Sequence, residues 1–113
     1  MGVQETWAWI VGVVLAIVGI AGFFVLDTGM LFGFGINATH SVVHLITGIL
    51  FIWAAIASGE KVKMANKWLG VIYILVGIVG FFDVLSFLAV NSADNYLHLG
   101  IGIISAAIGW VAK

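Results

Sequence analysis

Long apolar runs, separated by short polar stretches, set the pattern of this chain. The first run covers residues 7–26, with no charge between Glu5 and Asp27. The second covers about 39–57, the third about 67–90 and the fourth about 94–112. A helix needs about 20 apolar residues to cross the hydrocarbon of a bilayer, and each run reaches that length, the second and fourth only just. The runs are continuous, without the alternation of a membrane barrel. Backbone groups in lipid must also be satisfied within their own segment. The pattern predicts an all-α fold, a transmembrane four-helix bundle forming a single domain over residues 1–113. The first span is expected to be retained, since no positively charged segment precedes it and no cleavage site follows it. Met1-Gly2-Val3-Gln4-Glu5-Thr6 also fits a loose myristoylation pattern, but such a chain needs no lipid anchor.

Composition agrees with this reading. Of 113 residues, 64% are hydrophobic and 8% charged, against roughly 25% charged in soluble domains. Such a chain is neither a soluble globule nor disordered. Four lysines and no arginine build no basic face, so nucleic acid is excluded as a partner; the first partner is the lipid bilayer. Cysteine is absent, which removes disulfides, thiolate metal sites and cysteine nucleophiles. Proline is absent too, which weakens the case for a transporter with broken helices. Lys61, Lys63 and Lys67 cluster between the second and third runs, and Lys113 ends the sequence. With four crossings, the positive-inside rule places that loop and both termini in the cytoplasm. Trp7, Trp9, Trp53, Trp68 and Trp110 then read as an aromatic belt on the same side.

The chain also resembles itself. Residues 10–24 and 68–82 share eight of 15 positions, among them Gly12/Gly70, Gly19/Gly77 and Gly22/Gly80. Residues 37–49 match 91–103 at Asn37/Asn91, His44/His98, Leu45/Leu99, Gly48/Gly102 and Ile49/Ile103. An internal repeat is expected, about 7–57 and about 67–112, giving two tandem helical hairpins of parallel topology. The glycines at i, i+7 and i+10 fall on one helix face, which suits close helix contact in lipid.

The repeated polar feature lies at the start of the second and fourth runs, on the side away from the lysines. It reads Asn37-x-x-His40-x-x-x-His44-x-x-x-Gly48 in one half and Asn91-x-x-Asp94-x-x-x-His98-x-x-x-Gly102 in the other. Residues i and i+4 share a helix face. If the halves meet, His40, His44, Asp94 and His98 form a four-ligand set for zinc first, or for copper or iron. Asn37 and Asn91 stand at N-cap spacing before the first ligand of each pair. The same residues also suit a hydrogen-bonded interhelical network, or a proton or substrate site. Asp83 reads as an interfacial acid and Tyr96 as part of an aromatic belt. Gly33-Phe34-Gly35 reads as a flexible loop, and without a lysine beside it, not as a phosphate loop. No catalytic arrangement of Ser, His and Asp is evident, and enzyme activity is not expected.

At these motifs the chain resembles the domain-of-unknown-function 4383 family of small prokaryotic four-helix membrane proteins. The run Asn91-Ser92-Ala93-Asp94-Asn95-Tyr96-Leu97-His98-Leu99-Gly100-Ile101-Gly102 carries the resemblance, with His40-Ser41-Val42-Val43-His44 as its partner. Ser41 stands where the family usually has Asn. The resemblance implies a prokaryotic cell membrane and family-type positions at His40, His44, Asp94 and His98, and no reaction. The leading expectation is a small integral membrane protein with a His/Asp site, metal-binding or structural. A second is a non-catalytic accessory subunit of a larger membrane complex, with histidines toward a pigment or haem. A third is a channel or transporter, which requires a homo-oligomer because four helices alone enclose no pore.

Overall fold

The computed structural model describes residues 1–113. Four helices carry the chain: α1 Val3–Gly22, α2 Ala38–Ala57, α3 Gly59–Gly80 and α4 Ser92–Val111. At 1.5 Å per residue each is about 30 Å long, the thickness of a bilayer's hydrocarbon. The expected all-α bundle is therefore present. Helices α1, α2 and α3 are long and apolar enough to cross a membrane. Helix α4 has the length, but its first two turns hold Asp94, Asn95 and His98, in keeping with a fourth run that only just suffices.

The bundle is built outside-in relative to a soluble protein. Its 29 buried residues are ten apolar, nine polar and ten glycine. Ile10, Ile17, Ile46, Ile56, Leu75 and Ile103 are each more than half exposed. In lipid, apolar burial gives helices no reason to associate. Close packing of small residues and interhelical hydrogen bonds take over.

Glycine supplies that packing. Helix α1 lies mainly on α2, and α3 mainly on α4. Gly12 faces the Gly48 carbonyl and Gly70 the Gly102 carbonyl, so close that an added methyl would stand 2.9 Å from either oxygen. A methyl on Gly48 would lie 2.6 Å from the Ala16 nitrogen, and one on Gly102 the same distance from the Ile74 nitrogen. Further along, Gly22 seats the Ser41 side chain and Gly80 seats that of Asn95.

Two helices sit in a different register from the sequence expectation. Helix α1 starts and ends earlier than residues 7–26. Helix α3 starts at Gly59 and ends at Gly80, not at 67 and 90. No lysine loop separates α2 from α3. Ser58 (φ 61°) and Gly59 (φ 58°), both left-handed, reverse the chain at once. Lys61, Lys63 and Lys67 therefore ride on the first turns of α3. There the Lys61 ammonium lies 5.5 Å from the Trp53 ring centre and the Lys67 ammonium 5.8 Å from that of Trp110, cation–π contacts that keep each charge at the helix end. Past Gly80 the apolar run continues, but as turns, with Asp83 (φ 61°) and Ala89 (φ 56°) left-handed around a 3-10 turn at Ser86–Leu88. Asp83 is exposed. The glycine loop after α1 is a small hairpin in which Met30–Leu31 (β1) pairs antiparallel with Phe34–Gly35 (β2), turning through Phe32 and Gly33.

At the lysine end, a buried network joins three helices. Gln4 Nε2 of α1 donates to the Ile108 carbonyl of α4 at 2.7 Å and to Ala112 O just past its end at 3.0 Å. Asn66 Nδ2 of α3 donates to Gln4 Oε1 at 2.8 Å. Trp7 and Trp9 are only half exposed, and the Trp7 indole donates to Ser105 Oγ at 2.8 Å, so Trp7 is an interhelical tie as well as a belt residue. Replacing Gly48 or Gly102 by Ala is expected to destabilise the bundle by about 1–3 kcal/mol through overpacking. Gly100→Ala, at a helix position with nothing within 4 Å, should gain up to about 1 kcal/mol of helix propensity. Denaturant titrations of the purified variants in detergent check the opposite signs.

Candidate metal centre

Helices α2 and α4 begin at the same end of the bundle, and their first turns are fixed by the asparagines expected to cap them. Asn37 Oδ1 accepts from the His40 amide at 2.8 Å, and Asn91 Oδ1 accepts from the Asp94 amide at 3.0 Å. Asp94 Oδ2 accepts in return from the Asn91 amide at 2.8 Å, completing a capping box. Each asparagine has a second role. Asn37 Nδ2 donates to the Phe87 carbonyl at 2.7 Å, and Asn91 Nδ2 donates to the Gly33 carbonyl at 3.0 Å. The cap of each helix thus holds the loop that belongs to the other half of the chain.

One turn below the caps, the histidines meet. His40, His44 and His98 are all buried, with exposures of 3% or less, and their candidate ligand atoms lie within 4.8 Å of one another. Ring centroids stand 4.3 Å apart for His40–His44, 5.5 Å for His40–His98 and 5.7 Å for His44–His98. His44 Nε2 and His98 Nε2 are separated by 3.4 Å. That is beyond the usual 2.7–3.2 Å of a nitrogen-donor hydrogen bond. It matches the edge of a tetrahedron, since two nitrogens about 2.05 Å from one zinc ion stand about 3.3 Å apart.

The fourth expected ligand is engaged elsewhere. Besides the capping box, Asp94 Oδ2 accepts from the Gly35 amide of β2 at 2.9 Å, and the carboxylate stands outside the histidine cluster. Its other oxygen, Oδ1, is buried without a partner, as are His40 Nδ1 and Nε2, His44 Nδ1 and His98 Nδ1. Leaving a buried polar atom unmade costs about 1–3 kcal/mol. Among these residues the Nε2 atoms of His44 and His98 face each other, and His40 is the ring with both nitrogens unpaired. Imidazole nitrogens suit zinc, copper and iron, and three of them leave one coordination position open.

The surroundings of the cluster were not visible as site residues in the sequence. Tyr73 of α3 lies beneath it, edge-on to His98 with centroids 5.5 Å apart. Its hydroxyl is 2.6 Å from Thr47 Oγ1. Thr47 Oγ1 also lies 2.9 Å from the Val43 carbonyl, so the two hydroxyls and that carbonyl form one hydrogen-bonded chain. Above the cluster lie the β1–β2 hairpin, Ile36 and Leu88. A cavity of about 170 Å³ runs from the hairpin to His44 and Asp94. Spacing offered one signal for Tyr73: it falls seven residues after Asn66 and four before Gly77, on the buried stripe of α3.

Asn91→Ala is expected to lose both the α4 cap and the tie to Gly33, lowering stability by about 1 kcal/mol. Asn91→Asp keeps the cap acceptor and should cost less. Thermal unfolding of the two variants in detergent orders them.

A family model described as "Domain of unknown function (DUF4383)" matches residues 5–111. No curated protein and no solved structure matches the chain.

Proposed function

The chain belongs to the domain-of-unknown-function 4383 family, and from that premise we propose that it is an integral membrane protein holding one transition-metal ion between α2 and α4. His40, His44 and His98 are the ligands. Asp94 braces the site through the α4 cap and Gly35. The observation that carries this reading is the 3.4 Å separation of two imidazole nitrogens amid unpaired buried donor atoms. Zinc is the leading ion; copper and iron are the alternatives. The histidine rings are packed 4.3–5.7 Å apart, which favours a bare ion over a haem or pigment, because no ring-sized slot separates them.

The proposed setting is a prokaryotic cell membrane crossed four times. Lys61, Lys63, Lys67 and Lys113 all fall at the end of the bundle opposite the histidines, which supports a cytoplasmic position for that end and for both termini. The halves are read as duplicated hairpins of parallel topology, supported by the matching glycine contacts of Gly12 with Gly48 and Gly70 with Gly102. The lipid-facing isoleucines leave room for a homo-oligomer or for an accessory role in a larger membrane complex.

Elemental analysis of protein purified in detergent should find about one metal ion per chain. His44→Ala and His98→Ala should each lower the occupancy at least tenfold while far-ultraviolet circular dichroism stays unchanged. Where free metal stands at about 100 times its dissociation constant, chelation should remove about 2.7 kcal/mol of stability. Folded, metal-free wild-type protein whose stability ignores both chelator and added zinc would overturn the reading.

A further inference from the structure

The end of the bundle away from the histidines has a groove of its own. Helices α2 and α3 touch far less than the members of each hairpin, and beside the lysines they leave about 350 Å³ between them. The buried Ala54 of α2 and the half-buried Ala65 of α3 give the groove a small-residue lining. Trp53, Met64 and Trp68 stand around it, each about half exposed. On α3 the lining follows one helix face, since Lys61, Met64, Ala65 and Trp68 recur at i, i+3, i+4 and i+7. It continues to Leu69, about 12 Å along the helix from Lys61. That is less than half the thickness of a bilayer's hydrocarbon, so the groove belongs to one leaflet.

Seven of the eight lining residues are hydrophobic, and the eighth is Lys61. Its exposed ammonium lies 5.5 Å from the Trp53 ring centre, on the first turn of α3. The ring face steadies the charge without neutralising it, and no carboxylate lines the groove. Four lysines against Glu5 and Glu60 make this end of the bundle positive, whereas Asp27, Asp83 and Asp94 lie toward the other. An apolar slot open to lipid, with a cation at its headgroup end, complements an amphiphile with a hydrocarbon chain and an anionic head. We infer that the α2–α3 groove binds an anionic phospholipid, with one acyl chain along Met64, Ala65 and Trp68 and the headgroup phosphate on Lys61. The inference rests on the membrane setting and is independent of the metal reading.

The test titrates protein in neutral detergent with phosphatidylglycerol or phosphatidylcholine carrying the same dibrominated acyl chain. Bromine quenches tryptophan fluorescence on contact, and Trp53 and Trp68 line the groove. The expected result is saturable quenching, with half-saturation by phosphatidylglycerol at roughly fivefold lower concentration, the effect of one lysine on an anionic headgroup. Lys61→Gln should abolish this preference. Lys67→Gln, whose ammonium lies against Trp110 instead, should keep it. Ala65→Phe, which fills the groove, should remove saturable quenching by both lipids, with circular dichroism as the check that the helices remain. Equal half-saturation of the two lipids by wild type overturns the inference, because the groove is then an ordinary lipid-facing surface. Equal loss in both lysine variants overturns it as well, because the attraction is then diffuse. A folded Ala65→Phe variant that binds as wild type does has the same force, and so does a stable dimer that takes up no lipid, which assigns the groove to a second copy. All four results leave the membrane setting intact. A chain that stays in solution without detergent after ultracentrifugation overturns that setting and the inference together.

Discussion

Backbone-to-backbone contact at Gly12, Gly48, Gly70 and Gly102 is the constraint on which the architecture rests. Lipid solvates leucine and isoleucine as well as a protein interior does, so large apolar side chains have nothing to gain by turning inward. Helices held at glycine distance gain dispersion contacts along their length and bring polar side chains into reach of one another. Polar residues are nearly as numerous as apolar ones in the interior, which would be a fault in a water-soluble fold. Here it is the expected outcome, since hydrocarbon is a worse place for those groups than the space between helices.

The two ends of the bundle use their polar groups differently. At the lysine end, Gln4 spends its amide on α4 and on Asn66, and Asn66 Oδ1 alone is left without a partner. At the other end, the cap asparagines tie each half to the loop of the other, while the imidazoles between them are left with open nitrogens. Closure of the loops and openness of the donor set are linked. The caps fix where His40 and His98 stand, and Asp94 Oδ2 is held by Gly35 and Asn91, so the histidines face one another.

Much of this was legible in the chain. Helix number, the asparagine caps, the glycine faces and the meeting of His40, His44 and His98 all follow from spacing, because a helix turns a fixed angle per residue. Register was less legible. Hydropathy marks where lipid is, not where a helix stops, so the apolar turns after Gly80 read as a continuation of α3. Lys61 and Lys63 read as a loop because charge ordinarily marks one. Their place on a helix depends on two left-handed residues, Ser58 and Gly59, and serine gives little warning of that conformation. The diversion of Asp94 depends on the amide of Gly35, 59 residues away, which no local pattern encodes. Gln4 and Asn66 carry no local signal, because a single amide in an apolar helix has no partner in its own sequence neighbourhood.

The abrupt turn at Ser58–Gly59 has a mechanical consequence. It joins α2 to α3 almost without slack, so the two hairpins share a pivot at one end, and about 30 Å away the asparagine ties to Phe87 and Gly33 set the angle between them. A rotation of about 2° at that pivot displaces the far helix ends by about 1 Å. Metal–ligand distances tolerate about 0.2 Å. The histidine cluster sits at the long end of this lever, where it is a sensitive gauge of the angle between the hairpins.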